Sequence, residues 1–396
     1  MTDAKRKPLD VFLVAGEASG DALGGPLMAA LKARLSRNVR FRGVGGAAMQ
    51  AEGLTSLYPM EDLTAMGFNA VIAKLPLIFR RLRETAATIA ASPPDLLILI
   101  DSPDFNMRLG KRVRQALPEL PIIKYVSPTV WAWRPGRAKV MRPVFDHVLA
   151  LFPFEPAVHE KLGGPPCTYV GHPLLERLGE LRPLAADEAA RSAGPPLVVV
   201  LPGSRRTEIN RLSPVFGKTL ARLAESRDGV EFVLPTLPYR AAEIASAIAS
   251  WPVKPKVVVS EAEKFAAFRR ARAALAASGT VTLELALAHV PTVAAYRVSA
   301  LEAPILRRVI RSPSVILPNL ILGENVVPEF HQEHCTAENL SAALVPLLEG
   351  PARRRQLEAF TRLDAAMAIG DEHPSERAGR VALGVYEGNR RPGRAA

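Results

Sequence analysis

Four stretches of this sequence gather residues that could do chemistry. The first is AGEASGD, residues 15–21, where Glu17, Ser19 and Asp21 stand among Gly16 and Gly20. Its spacing is not the G-x-G-x-x-G of a dinucleotide turn, and two carboxylates there would repel a phosphate. They suit sugar hydroxyls, or the ordering of a neighbouring loop. The second is LLILIDSPDFN, 96–106, in which Asp101 ends a very apolar run and Asp104 and Asn106 follow. A carboxylate beside an apolar core can serve as a general base. It can equally cap the turn that Pro103 shapes. Two carboxylates without histidine make a poor metal site.

The third stretch, VVVLPGSRRTEI at 198–209, is an apolar run, a Gly-Ser turn and a helical pattern. Gly203 lets backbone approach a ligand, Ser204 brings a hydroxyl, and Arg205 adds charge where helix N–H groups attract anions. A capped helix with a surface arginine explains the same residues. The fourth, ALAASGTVTLELA at 274–286, repeats the design with Ser278, Gly279 and Thr280. Glu284 follows on the same helix, and either accepts both hydroxyls of a ribose or is simply an exposed helix residue. Two phosphate-type turns in one domain point to a nucleoside diphosphate.

These groups need elements to hold them. Apolar runs at Leu9–Ala15, Val39–Val44, Asp95–Ile100, Ile122–Val126, Asp146–Leu151 and Thr168–Val170 alternate with helical patterns. Such alternation predicts a parallel sheet covered on both faces. The rhythm breaks over 171–196 and resumes with runs at 196–204, Glu231–Pro235, Lys256–Ser260, Ala273–Ala277 and Thr292–Tyr296. The expectation is therefore α/β: two doubly wound, Rossmann-like domains facing across a cleft, with a helical C-terminal tail. Their boundaries are 1–175, a linker at 176–196, and 197–350. Helices over 351–388 pack back on the first domain or on a partner subunit, and 389–396 is a basic tail. Sheets of this type bind ligands beyond the carboxyl ends of their strands.

Bulk properties narrow the classes. The 396 residues carry 51 Lys and Arg against 39 Asp and Glu, a formal charge of +12. That favours an anionic partner, but no nucleic-acid motif accompanies it. The two cysteines, Cys167 and Cys335, have no metal-ligand spacing, and reduced thiols are expected. No apolar run is long enough to span a bilayer and no secretory leader is evident, which predicts a cytoplasmic protein. Trp131 and Trp133, with Arg134, Arg137, Lys139 and Arg142, either pack inside or shape a sugar or acyl site. The stretch TAMGFNAVIAKLPLIFRRLRET, 64–85, carries Met66, Phe68, Ile72, Leu75, Ile78 and Phe79, then Arg80, Arg81 and Arg83. It reads as a buried helix or as an interfacial segment on anionic lipid. RVSALEAPILRRVIRS, 297–312, with Arg307, Arg308 and Arg311, has the same character.

Taken together these stretches resemble one family, the lipid-A-disaccharide synthases, inverting glycosyltransferases of the GT-B fold. AGEASGD, IDSPDFN, YVSPTVWAW (125–133), LPGSR (201–205), SGT with Glu284, and LPNLILGENVVPEFHQE (317–333) carry the resemblance in the family's order. His331 stands where that pattern leads us to expect an aliphatic residue. The resemblance implies transfer from UDP-2,3-diacylglucosamine to 2,3-diacylglucosamine 1-phosphate, at the inner face of the cytoplasmic membrane of a Gram-negative bacterium. It implies no cofactor and no bound metal, and a homodimer is compatible with it. Beside the resemblance, the reading of the residues nominates Asp101, Glu17 and Arg205 for catalysis. It gives the UDP donor to Gly203, Ser204, Arg205, Ser278, Gly279, Thr280, Glu284, Asn319 and Gln332. The acceptor side falls to Ser19, Gly20, Asp21, Asn106 and Trp133. Other classes compatible with the residues are a UDP-sugar epimerase of the same fold and a non-enzymatic membrane-binding protein.

Overall fold

A computed structural model describes residues 7–35, 38–64, 68–299 and 314–389, the side chains of 68–73 excepted. The chain divides into two compact units, 1–175 with 369–396, and 176–368.

The first unit holds β1 (Leu9–Ala15), β2 (Val39–Val44), β3 (Thr55–Ser56), β4 (Leu96–Ile100), β5 (Ile122–Tyr125), β6 (His147–Ala150) and β7 (Cys167–Tyr169). They form one sheet in the order β3-β2-β1-β4-β5-β6-β7, with every pairing parallel. Helices α1 (Ala18–Arg34), α2 (Ala47–Ala51), α3 (Phe68–Ala91), α4 (Pro103–Ala116), α5 (Gly136–Met141) and α6 (Glu155–Lys161) connect them. Strands covered on both faces read as continuous apolar runs. β4, LLILI, is the clearest case, with all five side chains buried. Each such burial contributes roughly 1.5–3 kcal/mol.

Between the units' sequences, 176–196 is more than the expected linker. It folds into α7 (Leu178–Leu181) and α8 (Ala185–Ala193) and belongs to the second unit. Arg191 explains why: it is buried, and its guanidinium donates to the carbonyls of Phe268, Ala288 and His289. The second sheet contains β8 (Leu197–Leu201), β9 (Glu231–Pro235), β10 (Lys256–Val258), β11 (Ala273–Ala277), β12 (Thr292–Tyr296) and β13 (Glu329–His331), in the order β10-β9-β8-β11-β12-β13. Its helices are α9 (Arg206–Ser226), α10 (Ala241–Ile248), α11 (Glu261–Arg270), α12 (Thr280–Leu287), α13 (Leu317–Leu322), α14 (Ala337–Leu348) and α15 (Pro351–Met367). The C-terminal helices part company. α15 stays in the second unit, while α16 (Pro374–Asn389) returns to the first. There Ala378, Ala382, Leu383 and Tyr386 join the core around α1. Short β3 and β13 have no run of apolar residues to announce them.

Candidate active site

In the first unit the candidate residues gather at the carboxyl ends of β1, β4 and β5. Asp101 follows β4 directly. It and Ser102 both lie in the left-handed region, at φ 48° and 40°, a conformation that costs non-glycine residues about 1–3 kcal/mol each. Several contacts hold it. The Asp101 amide donates to the Tyr125 carbonyl at 2.9 Å. The Asp101 carbonyl accepts from Asn106 Nδ2 at 2.8 Å and from Lys124 Nζ. The carboxylate accepts from Ser19 Oγ at 2.8 Å. A Cβ on Gly16 would collide with the Ser102 hydroxyl, and one on Gly20 would sit 3.6 Å from Asp101 Cβ. Gly16 therefore lets the Asp101–Ser102 turn approach β1.

Glu17 is the exposed N-cap of α1 and lies on the same edge. Asp21 does different work from that expected. Its buried carboxylate accepts from the amides of Gly46, Ala48 and Met49 at 2.8–3.0 Å. It caps α2, whose first amides have no partner within the helix. Asn106 is fully buried and bonds the carbonyls of Ile100 and Asp101, so it shapes the site from beneath. Trp133 is 39% exposed, with the Arg134 guanidinium 4.2 Å from its ring centroid and Nε1 donating to Thr129 Oγ1.

The loop after β5 rests on buried polar groups the sequence reading passed over. Val126 sits at φ 72°. Beneath it, Ser127 Oγ lies 2.8 Å from His159 Nε2, and Glu155 accepts from the amides of Leu151 and Phe152. Burial raises the Glu155 carboxyl to about 7 and lowers His172 to about 4. Lys124 is the other omission: a lysine inside an apolar strand is easily read as a break in pattern. Burial pulls its ammonium down to about 7, against the opposing influence of the Asp101 charge.

The second unit presents a pocket of about 680 Å³ at the carboxyl end of its sheet. Gly203, Ser204, Arg205, Ser278, Gly279, Thr280 and Glu284 all line it. Both turns enter helices at their N-termini, α9 and α12. They differ in how those ends are satisfied. At α9 the amides of Ser204 and Arg205 already donate to Glu208 Oε2, at 3.2 and 3.3 Å. A phosphate there must displace Glu208 or bind through Arg205, whose side chain is 79% exposed. The carboxylate three residues past the N-cap is a capping-box signal visible in sequence. At α12 no such carboxylate intervenes, and a Cβ on Gly279 would meet open space. Glu284 pairs with Lys264 of α11.

Asn319 and Gln332 lie elsewhere. Buried Asn319 bonds Asn325, Val326 and Val327 through both ends of its amide. Gln332 accepts from the Val298 amide, and His331 pairs with Glu329. They order the chain around β13 and do not line the pocket. Among the described residues no three His, Cys, Asp or Glu side chains group as a metal site.

The expected lipid-facing segment is partly visible. Met66 lies outside the described residues, as do the side chains of Phe68 and Ile72 and all of Arg307, Arg308 and Arg311. Leu75, Phe79 and Arg80 are exposed on α3. Ile78 instead packs against the core. Arg81 is held by Asp62 and Glu84, over the Tyr58 ring. None of the described helices is long and apolar enough to cross a membrane.

Comparison with known proteins places this geometry. Neisseria meningitidis UDP-GlcNAc 2-epimerase, solved bound to UDP-GlcNAc, shares the fold with a TM-score of 0.60 at 11% identity, over 97% of this chain and all of that one. Acinetobacter baumannii MurG shares it at 0.58 and 13%, over 95% of this chain and all of that one. Sequence relatives are far nearer. The lipid-A-disaccharide synthase of Nitrobacter hamburgensis is 57% identical over 96% of this chain and 97% of its own. That of Bradyrhizobium diazoefficiens is 54% identical over 98% and 99%. The family model described as lipid-A-disaccharide synthetase matches residues 11–377. The match spans both units and both sets of candidate residues, and the chain belongs to the lipid-A-disaccharide synthase family.

Proposed function

We propose that this chain transfers a 2,3-diacylglucosaminyl group from UDP-2,3-diacylglucosamine to 2,3-diacylglucosamine 1-phosphate. The products are the β-1,6-linked disaccharide 1-phosphate and UDP. The observation that carries the reading is the family match over 11–377. An epimerase reading has only the fold in its favour, at 11–13% identity.

In this reading the acceptor's 6-hydroxyl oxygen attacks C1 of the donor sugar. The bond from C1 to the phosphate oxygen breaks, and its electron pair leaves with UDP. Asp101 takes the hydroxyl proton, as a carboxylate held at a fixed strand end can. Glu17 lies on the same edge and serves sugar hydroxyls. The pocket of the second unit holds UDP: Arg205 and the amides opening α12 stabilise charge growing on the diphosphate, and Glu284 meets the ribose diol. Both substrates carry acyl chains, so the enzyme works on the inner face of the cytoplasmic membrane. Exposed Leu75 and Phe79, with Arg80, Arg83 and Arg108, suit an anionic lipid surface.

The test is a mass-spectrometric assay of the full chain with both substrates in anionic vesicles. Disaccharide 1-phosphate and UDP are expected in equal amounts, with salt lowering vesicle binding. Conversion of UDP-diacylglucosamine to an isomer without acceptor would replace this reading by the epimerase one.

A further inference from the structure

Lys124 stands in the strand IIKY, between Ile123 and Tyr125, and all four residues are buried. Only 2% of Lys124 is exposed. An ammonium in such a place is costly unless its hydrogens are satisfied. Its Nζ donates to the carbonyls of Leu99, Asp101 and Tyr125. Leu99 is its register partner on β4, so that contact is local. The Asp101 carbonyl is a different matter. The left-handed turn carries it out of the β ladder, and it must find donors beneath the sheet's edge. Lys124 and Asn106 supply them.

The sheet itself has no need of a charge here. A methionine or leucine would fill the space without the desolvation penalty, and buried charges often cost more than they return. What the lysine adds is a buried group with several donors, gripping the backbone of the residue whose carboxylate is held by Ser19. Consecutive left-handed residues persist only where surrounding contacts over-determine them. Released from Lys124, the Asp101–Ser102 turn can relax toward ordinary φ, and the carboxylate then shifts.

We propose that Lys124 is a positioning residue for Asp101: by binding the carbonyls of Leu99, Asp101 and Tyr125 it holds the left-handed turn that aims the base. The proposal rests on reading Asp101 as that base. Lys124 touches no substrate in this scheme and acts wholly through Asp101.

Steady-state kinetics of the full chain with both substrates test it, in Lys124→Met, Lys124→Gln, Asp101→Asn and the Asp101→Asn/Lys124→Met pair. Lys124→Met is expected to lower kcat per folded enzyme by ~10–100-fold, the scale of a small misplacement of a reacting group. KM and UDP affinity should stay within about twofold, because uniform binding is untouched. Lys124→Gln, which still donates, should lose less, and it carries the test if the methionine variant fails to fold. In the Asp101→Asn background the second substitution should cost nothing further, since residues acting as one unit are non-additive. A Lys124→Met enzyme with wild-type kcat overturns the proposal, whatever its melting temperature. So does a full additional loss in the Asp101→Asn background. If Asp101→Asn alone keeps wild-type turnover, the reading of Asp101 as base falls; if it is inactive while Lys124→Met is normal, only the role of Lys124 falls.

Discussion

The two units share a parallel, doubly wound sheet and put their candidate groups at the same end of it, yet they prepare that end in opposite ways. In the first unit the edge is internally satisfied. Asp101 is gripped through its amide, its carbonyl and its carboxylate, and the strained backbone around it is locked from below. In the second unit the edge is a lined hollow with an exposed arginine and a helix N-terminus that no side chain caps. A group that must move a proton gains from being held before substrate arrives. A group that must grip a diphosphate gains from having donors left over for it. On the proposed reading, the held edge carries the proton transfer and the open hollow carries the diphosphate.

The largest effect should come from the held side. Asp101→Asn keeps an acceptor for Ser19 and so keeps the turn, but it removes the base. Turnover should fall by ~10²–10⁴, with UDP affinity and melting temperature close to wild type. Near-normal turnover would remove Asp101 from the proton transfer and break the contrast at its first term.

On the open side the losses should be smaller and should appear in binding. Arg205→Ala should weaken UDP by about 1.5–3 kcal/mol, the usual worth of a charge-assisted hydrogen bond. Glu284→Ala should weaken UDP while leaving pyrophosphate alone, because pyrophosphate has no ribose. Calorimetry that finds UDP affinity unchanged in both variants would move the donor to another place on the chain.

Much of this was legible in the sequence, for a physical reason. Apolar runs such as Leu96–Ile100 and Ala273–Ala277, short, bounded by turn residues and alternating with helical patterns, read as covered strands, and the turns after them fall where the fold puts ligands. The partners of individual polar side chains were not legible. Asp21 sits in the first turn and looks outward on paper, but it caps a helix 25 residues on. Asn106 and Asn319 look like ligand amides, but Asn106 is bonded to backbone and Asn319 to backbone and to Asn325. Those assignments depend on which carbonyls and amides the packing leaves without partners, and that is a non-local property. Lys124 was hidden for the same reason. Glu208 was not: its spacing from Arg205 announces a capped end, which is the one feature separating the two turns of the second unit.

Acid stability should also set the first unit apart, because it holds buried ionisable groups near its loops. His172 is stacked on Phe152, 5.5 Å between centroids, and accepts from the Leu174 amide. Burial lowers it from 6.5 to about 4. A histidine lowered in the folded state binds fewer protons there than in the unfolded chain. Its contribution is therefore intact above about 6.5 and is lost as pH falls toward 4. Glu155 has the opposite sign: raised to about 7 by burial, its contribution is full below the ordinary carboxylate range and is lost as pH rises through 7. Between pH 6.5 and 4.5 the two slopes oppose each other, and the wild type should show little net change from this pair. His172→Phe keeps a ring on Phe152 and removes one slope. It loses the acceptor for Leu174, which lowers stability at every pH, so the readout is the slope and not the level. Relative to wild type, the variant should gain stability on acidification from 6.5 to 4, by about 3 kcal/mol at most, and by less where local opening admits water to the ring. Denaturant unfolding at several pH values, followed on the first unit's Trp131 and Trp133 against the second unit's Trp251, measures it. Parallel pH profiles for wild type and variant would mean that His172 contributes no pH-dependent stability to the first unit.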